Sequence, residues 1–283
     1  MKLYNTRKGI VVTHKSVHYL LIENNWDDLV NRTNLHRHVV QLKEAATVLS
    51  DSEFEDLLND TLLAPIGSQE VWAAGVTYMR SKVARMEESQ DAGGADFYDK
   101  VYDAERPELF FKSMPHRVCA HNTEIYIRKD SSWNVPEPEL TLFINASGDI
   151  AGYTIGNDVS SRSIEGENPL YLPQAKVYEK SAAMGPCLYI PEEPIDKDAV
   201  ISMSITRDGK EMYNDSASIN RMKRSHTELA SYLLMGFDFP QGVYLMTGTC
   251  IVPGHDFTLQ PGDVVSISIE GIGTLENRVA LKP

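Results

Sequence analysis

Glu137 and Glu139 stand two residues apart in the run Pro136-Glu137-Pro138-Glu139-Leu140, whose prolines hold the backbone extended. On an extended strand residues i and i+2 point to one face, so both carboxylates can reach one ion. Acidic pairs at this spacing are also common on solvated strand faces, and the pair alone leaves both readings open. Asp158, in Gly156-Asn157-Asp158-Val159-Ser160, shifts the balance. It follows a strand expected over 150–154, which a short hairpin would lay beside the first. Three hard oxygen donors with room for water suit Mg²⁺ or Mn²⁺ better than zinc.

Other residues able to do chemistry fit less well. His14 and His18 would share a helix face, yet the residues around them read as strand, where four positions span about 13 Å, too far for one metal. His36-Arg37-His38 could chelate from a strand but lacks an evident third ligand. His116, His121 and His255 lie near the segments that carry the motifs, and nothing in the sequence chooses among them. Cys119, Cys187 and Cys250 are odd in number and outside any Cys-x-x-Cys spacing, which suggests neither a disulfide framework nor a zinc site. Arg162, four residues after Asp158, is either a binder of a substrate carboxylate or a structural partner of nearby acids.

The elements that must position these groups are mostly strands. Residues 10–22 are rich in β-branched and aromatic types, and 26–59 turn helical, with Ser52-x-x-Glu55 as a capping box before Phe54, Leu57 and Leu58. Ala64-Pro65-Ile66-Gly67-Ser68 makes a turn-prone boundary. Beyond it, strands are expected over 71–76, 109–111, 125–128, 140–145 and 150–154, with a turn at Ser147-Gly148-Asp149. A helix is expected over 78–90, and the hinge-like stretch 91–96 beside it is either a lid or an ordinary surface loop. Alternation over 200–205 before Asp208-Gly209 predicts a hairpin. A last helix over 225–235 and a strand over 264–269 complete the pattern. The expected class is α+β, mainly β: a small α+β amino-terminal domain over 1–66, then a rolled mixed β-sandwich over 67–283 with helices outside it.

The 283 residues are 42% apolar, enough for a sizeable core. Forty acidic residues against 27 basic ones give a net charge of −13, which disfavours nucleic acid and anionic membranes as partners. No window approaches the roughly 20 apolar residues that span a bilayer, and no long apolar stretch follows Met1 to Arg7, so a cytoplasmic protein is expected.

The segment from Pro136 to Leu140 and the segment Gly152-Tyr153-Thr154-Ile155-Gly156-Asn157-Asp158-Val159-Ser160-Ser161-Arg162 together resemble the signature of the fumarylacetoacetate hydrolase superfamily. The resemblance implies Mg²⁺ held by Glu137, Glu139 and Asp158. It also implies a substrate-facing lysine, Lys176, and a threonine segment, Thr247-Gly248-Thr249, whose Thr249 would meet the substrate. Three longer strings are similar to the 2-keto-3-deoxy-D-arabinonate dehydratase branch: 98–104, Arg106-Pro107-Glu108 with the residues to Lys112, and Glu165 through Pro173-Gln174-Ala175-Lys176. In that branch the matching glutamate and lysine sit at the substrate, which points to Glu108 and Lys176 as catalytic groups. Hydrolytic members carry a histidine where this chain has Ser81, and a hydroxyl has no useful basicity near neutral pH. The resemblance therefore implies dehydration of a small 2-oxo sugar acid without an organic cofactor. A carbon–carbon hydrolase of a β-diketone or acylpyruvate, and a non-catalytic 2-oxo acid binder, are the alternatives. A homo-oligomer, dimer or tetramer, is the assembly the family implies.

Overall fold

The computed structural model describes residues 1–88 and 100–283. The stretch 91–96 weighed as a lid lies outside the described residues. Eighteen strands are described: β1 Lys2–Thr6, β2 Gly9–His14, β3 Val17–Leu20, β4 Thr47–Leu49, β5 Glu70–Gly75, β6 Glu108–Ser113, β7 Val118–Cys119, β8 Thr123–Ile127 and β9 Asn134–Val135 come first. They are followed by β10 Pro138–Ile144, β11 Ile150–Asp158, β12 Ser160–Ser161, β13 Ala182–Tyr189, β14 Val200–Arg207, β15 Lys210–Ser218, β16 Val243–Met246, β17 Val264–Ile269 and β18 Gly273–Leu281. The helices are α1 Trp26–Val30, α2 Leu35–Leu42, α3 Asp51–Thr61, α4 Met79–Glu88, α5 Arg162–Glu167, α6 Leu172–Lys176 and α7 His226–Leu234.

One large sheet runs β4-β3-β2-β1-β13-β11-β10-β16-β5-β6, with β7 beside β13, and a five-stranded sheet runs β15-β14-β17-β18-β8. Most neighbours are antiparallel, but β16 and β5, β13 and β7, and β18 and β8 pair in parallel, so the fold is a mixed, mainly β sandwich. Alternation explains how the sheets stack. Leu140, Leu142 and Ile144 of β10 enter one core with Ile201, Met203 and Ile205 of β14 and Val265, Ile267 and Ile269 of β17. Phe143 points the other way, into a second core with Trp26, Leu29 and Val39 of α1 and α2. The central strand β10 is therefore buried over its full length. The amino-terminal strands join the large sheet through the pairing of β1 with β13.

Several local expectations are met and several are revised. The Asp208-Gly209 turn joins β14 to β15, and Ser225 caps α7 through its side chain. The helical stretch expected over 26–59 is interrupted, because the β-branched pair Thr47-Val48 supplies an edge strand, β4, against β3. The capping box of α3 is Ser50 with Glu53, two residues earlier than Ser52 and Glu55. Ser50 carries the extended backbone that an N-cap requires, whereas Ser52 is already helical. His36 and His38 lie on helix α2 rather than on a strand. Among the described residues no helix is long and apolar enough to cross a membrane.

Candidate active site

The site is built where β10 and β11 begin and end side by side. Pro138 pairs with Asn157 and Glu139 with Gly156, so the register sets Glu137 directly across from Asp158. The Asp158 amide donates to the Glu137 carbonyl at 3.0 Å. Strand β11 runs on to Asp158, four residues beyond the expected end at 154. The aspartate is thus held by the sheet ladder rather than by a free turn. Glu137, Glu139 and Asp158 are all buried and present ligand oxygens that lie within 4.8 Å of one another. Three hard carboxylates converging at that distance are a donor set that fits Mg²⁺ or Mn²⁺.

Buried carboxylates this close need compensating charge. Lys176, at the end of α6, is fully buried and donates from Nζ to Glu137 Oε2 at 2.9 Å, Asp158 Oδ2 at 3.0 Å and Ser160 Oγ at 2.5 Å. Lys112, from β6, is equally buried; its Nζ meets Asp158 Oδ1 at 2.5 Å and donates to the carbonyls of Val159 and Lys176 at 3.1 and 2.5 Å. Arg162 donates from Nη2 to Glu137 Oε1 at 2.7 Å. Its Nε lies 3.9 Å from Glu165, which also pairs with Arg85. The Arg162 guanidinium is thus a partner of nearby acids and also lines the cleft, so the two roles weighed for it are compatible.

These contacts set the protonation states. Burial opposes the charge on Asp158, but Lys112 and Lys176 outweigh it and hold the group below the usual carboxylate range. Burial also opposes the charge on Lys176, and there Asp158 and Glu137 prevail, raising it further above neutrality. Glu139 behaves in the opposite way. Burial, then Asp158 and Glu137, push its carboxyl well above the ordinary value, although the Gly248 amide donates to Oε2 at 2.6 Å. A metal ion must displace that proton, since only the carboxylate is a good ligand. Mg²⁺ binding should therefore release protons, and the apparent affinity should rise with pH through the range, above that of an ordinary carboxyl, in which Glu139 titrates. Titration calorimetry in buffers of different ionisation enthalpy reads this directly. A pH-independent affinity with no proton release would contradict it.

The remaining wall comes from β5, β6, α4 and the segment after β16. Gly75, Val76, Ser81, Arg85, Phe110 and Thr249 join the carboxylates around the cleft. Val76 has φ of +53°, unusual for a β-branched residue, and stands at the turn between β5 and α4. The turn brings Ser81 and Arg85, one helical turn apart on α4, onto the cleft. Ser81 Oγ donates to the Tyr78 carbonyl at 2.8 Å, so the hydroxyl is engaged locally. Gly248 must be glycine for two reasons: its φ is +97°, and a Cβ there would collide with Thr77 Oγ1. Thr249 Oγ1 donates to the Ile251 carbonyl at 3.0 Å.

Glu108 lies opposite Gly75 in the β5–β6 pair. Its Oε2 is buried with no hydrogen-bond partner among the described residues. Burial raises its pKa, with Arg85 acting the other way and Glu165 reinforcing the rise. Among the described residues no histidine lines the cleft. His121 Nδ1 accepts from the Glu276 amide, His255 packs against Trp133, and Thr13 bonds His18. Two contributors had escaped sequence reasoning. Lys112 shares a strand face with Glu108 by simple alternation, and Arg85 follows Ser81 by four on a helix, but neither spacing says which carboxylate each cation meets.

Residues 71–280 match the family model described as fumarylacetoacetate (FAA) hydrolase C-terminal. A probable 2-keto-3-deoxyxylonate dehydratase of Haloferax volcanii is 47% identical over 251 residues, 88% of this chain and 84% of the relative. A 2-dehydro-3-deoxy-D-arabinonate dehydratase of Saccharolobus solfataricus is 43% identical over 223 residues, 77% of this chain and 74% of its own. A solved 2-keto-3-deoxy-D-arabinonate dehydratase in complex with magnesium and 2,5-dioxopentanoate superposes with a TM-score of 0.84 at 33% identity, covering 100% of this chain and 99% of that one.

Proposed function

The chain belongs to the fumarylacetoacetate hydrolase family, and on that premise we infer that it is a magnesium-dependent dehydratase of a 2-keto-3-deoxy sugar acid. Its substrate is best assigned as 2-keto-3-deoxy-D-arabinonate, converted to 2,5-dioxopentanoate and water. The observation that carries this reading is the end-to-end match to the dehydratase solved with magnesium and that dioxo acid. The relatives named for xylonate and arabinonate do not compete as chemistry. A 2-keto-3-deoxy pentonate has a ketone at C2 and a methylene at C3, so C4 is the one stereocentre left.

Glu137, Glu139 and Asp158 are the residues proposed to hold the ion. When bound, Mg²⁺ supplies Lewis-acid polarisation of the 2-oxo group, which is worth several kcal/mol to charge developing on that oxygen. The rest falls to side chains. Arg162 and Thr249, which line the cleft, are proposed to orient the substrate carboxylate and hydroxyls. Glu108, with its raised affinity for a proton, takes the proton from C3 as the C3–H bond breaks. The Lys176 ammonium faces the growing enolate charge. Glu108 then hands the same proton to the 4-oxygen as the C4–O bond breaks, so water leaves and no net proton is exchanged. Elimination leaves a C3=C4 unsaturated 2-oxo acid that still carries the C5 alcohol. Loss of a C5 proton gives the dienol, and ketonisation of both enol ends, with protons added at C3 and C4, gives the dioxo acid.

Incubation with the pentonate should yield 2,5-dioxopentanoate, read through a coupled aldehyde dehydrogenase, and little pyruvate from acylpyruvates. Pyruvate release without dioxo acid would replace the dehydratase by a carbon–carbon hydrolase. We further propose a cytoplasmic homo-oligomer, as family membership suggests. Light scattering at micromolar concentration should give at least a dimeric mass, and a monomer would refute that part alone.

A further inference from the structure

Glu108 is the proposed proton carrier, yet no hydrogen bond fixes its buried Oε2 among the described residues. Strand β5 places Gly75 directly opposite Glu108. A Cβ added at Gly75 would lie 2.5 Å from Glu108 Cδ and 3.2 Å from Cγ, and nearer still to Oε2. Glu108 supplies all three nearest atoms, so what glycine spares there is this one side chain. Gly75 also lines the cleft with the three carboxylates and Lys176. Its φ lies outside the left-handed range, so the backbone would accept another residue. The demand for glycine here is spatial.

We propose that Gly75 is a positioning residue, whose bare Cα forms the seat for the Glu108 carboxyl and sets its distance from the substrate. The proposal rests on Glu108 being the proton carrier. It separates fold from function in an unusual way. The group that a methyl at position 75 displaces is the flexible end of a side chain, which can swing aside at small cost to the backbone, but that end is the one that moves the proton. Misplacement of a reacting group by about 1 Å can cost on the order of a hundredfold in rate.

The test is a double-mutant cycle on the Mg²⁺-loaded enzyme, with Gly75→Ala, Glu108→Gln and the pair. Gly75→Ala should lower kcat roughly tenfold to a hundredfold with little change in KM, and should melt close to the parent. In the Glu108→Gln background the same change should cost little more, because the group it displaces no longer carries a proton. Equal losses in both backgrounds would overturn the proposal, as would an unaltered kcat in Gly75→Ala. A Gly75→Ala protein that fails to fold would overturn it too, since that would mean the backbone rather than the carboxyl has to yield. Failure of the underlying reading looks different: Glu108→Gln would then keep the parent kcat on its own.

Discussion

Glu139→Gln should bind Mg²⁺ at least about a hundredfold more weakly than the parent and lose activity at ordinary Mg²⁺ concentrations, while its metal-free form melts no lower. Changes among groups that only support a ligand already cost roughly 10- to 100-fold, and loss of a ligand's charge should cost at least as much. The amide keeps the shape, and its oxygen can still accept from the Gly248 N–H. What disappears is one negative charge in a cluster of three. In the metal-free protein that charge is unwelcome: burial and the neighbouring Asp158 and Glu137 already hold the carboxyl toward its protonated form. Removing it relieves repulsion, so weaker binding arrives without loss of fold. Calorimetry with Mg²⁺ and a thermal melt in chelator separate the two effects. Unchanged Mg²⁺ affinity would remove Glu139 from the ligand set.

The contrast between Lys112 and Arg162 shows where charge compensation is hard to read in a linear sequence. Arg162 lies four residues from Asp158, close enough in sequence to be suspected, and it meets Glu137 across the short β9–β12 neighbourhood. Lys112 is forty-six residues from Asp158 and ends a run, Leu109-Phe110-Phe111, that reads as ordinary core. Three strands separate β6 from β11 in the large sheet, so the contact of Lys112 with Asp158 is a tertiary one that no local pattern encodes. Strands with strict alternation, such as β14 and β17, and the Asp208-Gly209 turn were legible because side-chain period and turn chemistry are local. The interrupted helical region before residue 61 was misread for the converse reason. Thr47-Val48-Leu49 becomes a strand because the edge of β3 is available to pair with it. The carboxylate trio was legible because its two strands are joined by a short turn, so the spacing between Glu139 and Asp158 already implied the register.

Glu108→Gln and Lys176→Met should fail in different ways, and the difference follows from what each side chain touches. The Glu108 carboxyl has an oxygen without a hydrogen-bond partner among the described residues, and it lies against Gly75. Glutamine fills the same space, so substrate binding and fold should persist. A carboxyl that must take a proton from C3 and deliver it to a departing hydroxyl is nonetheless gone, and proton transfer by a positioned group is typically worth 10²- to 10⁴-fold. A fall in kcat of that size with KM nearly unchanged is expected. Lys176 is tied to Glu137, Asp158 and Ser160 at once, and its backbone carbonyl receives Lys112. Methionine there leaves two buried carboxylates short of their shared cation, a loss that typically costs roughly 3–5 kcal/mol of stability. The same change removes the charge that faces the enolate. Lys176→Met should therefore lower kcat, raise KM and lower the melting temperature together, with added Mg²⁺ restoring part of the stability, because the ion supplies positive charge to the same oxygens. Steady-state kinetics beside melts with and without Mg²⁺ give the comparison. If Glu108→Gln raised KM and left kcat alone, Glu108 would be a binding group, and the proton would have to travel by another route.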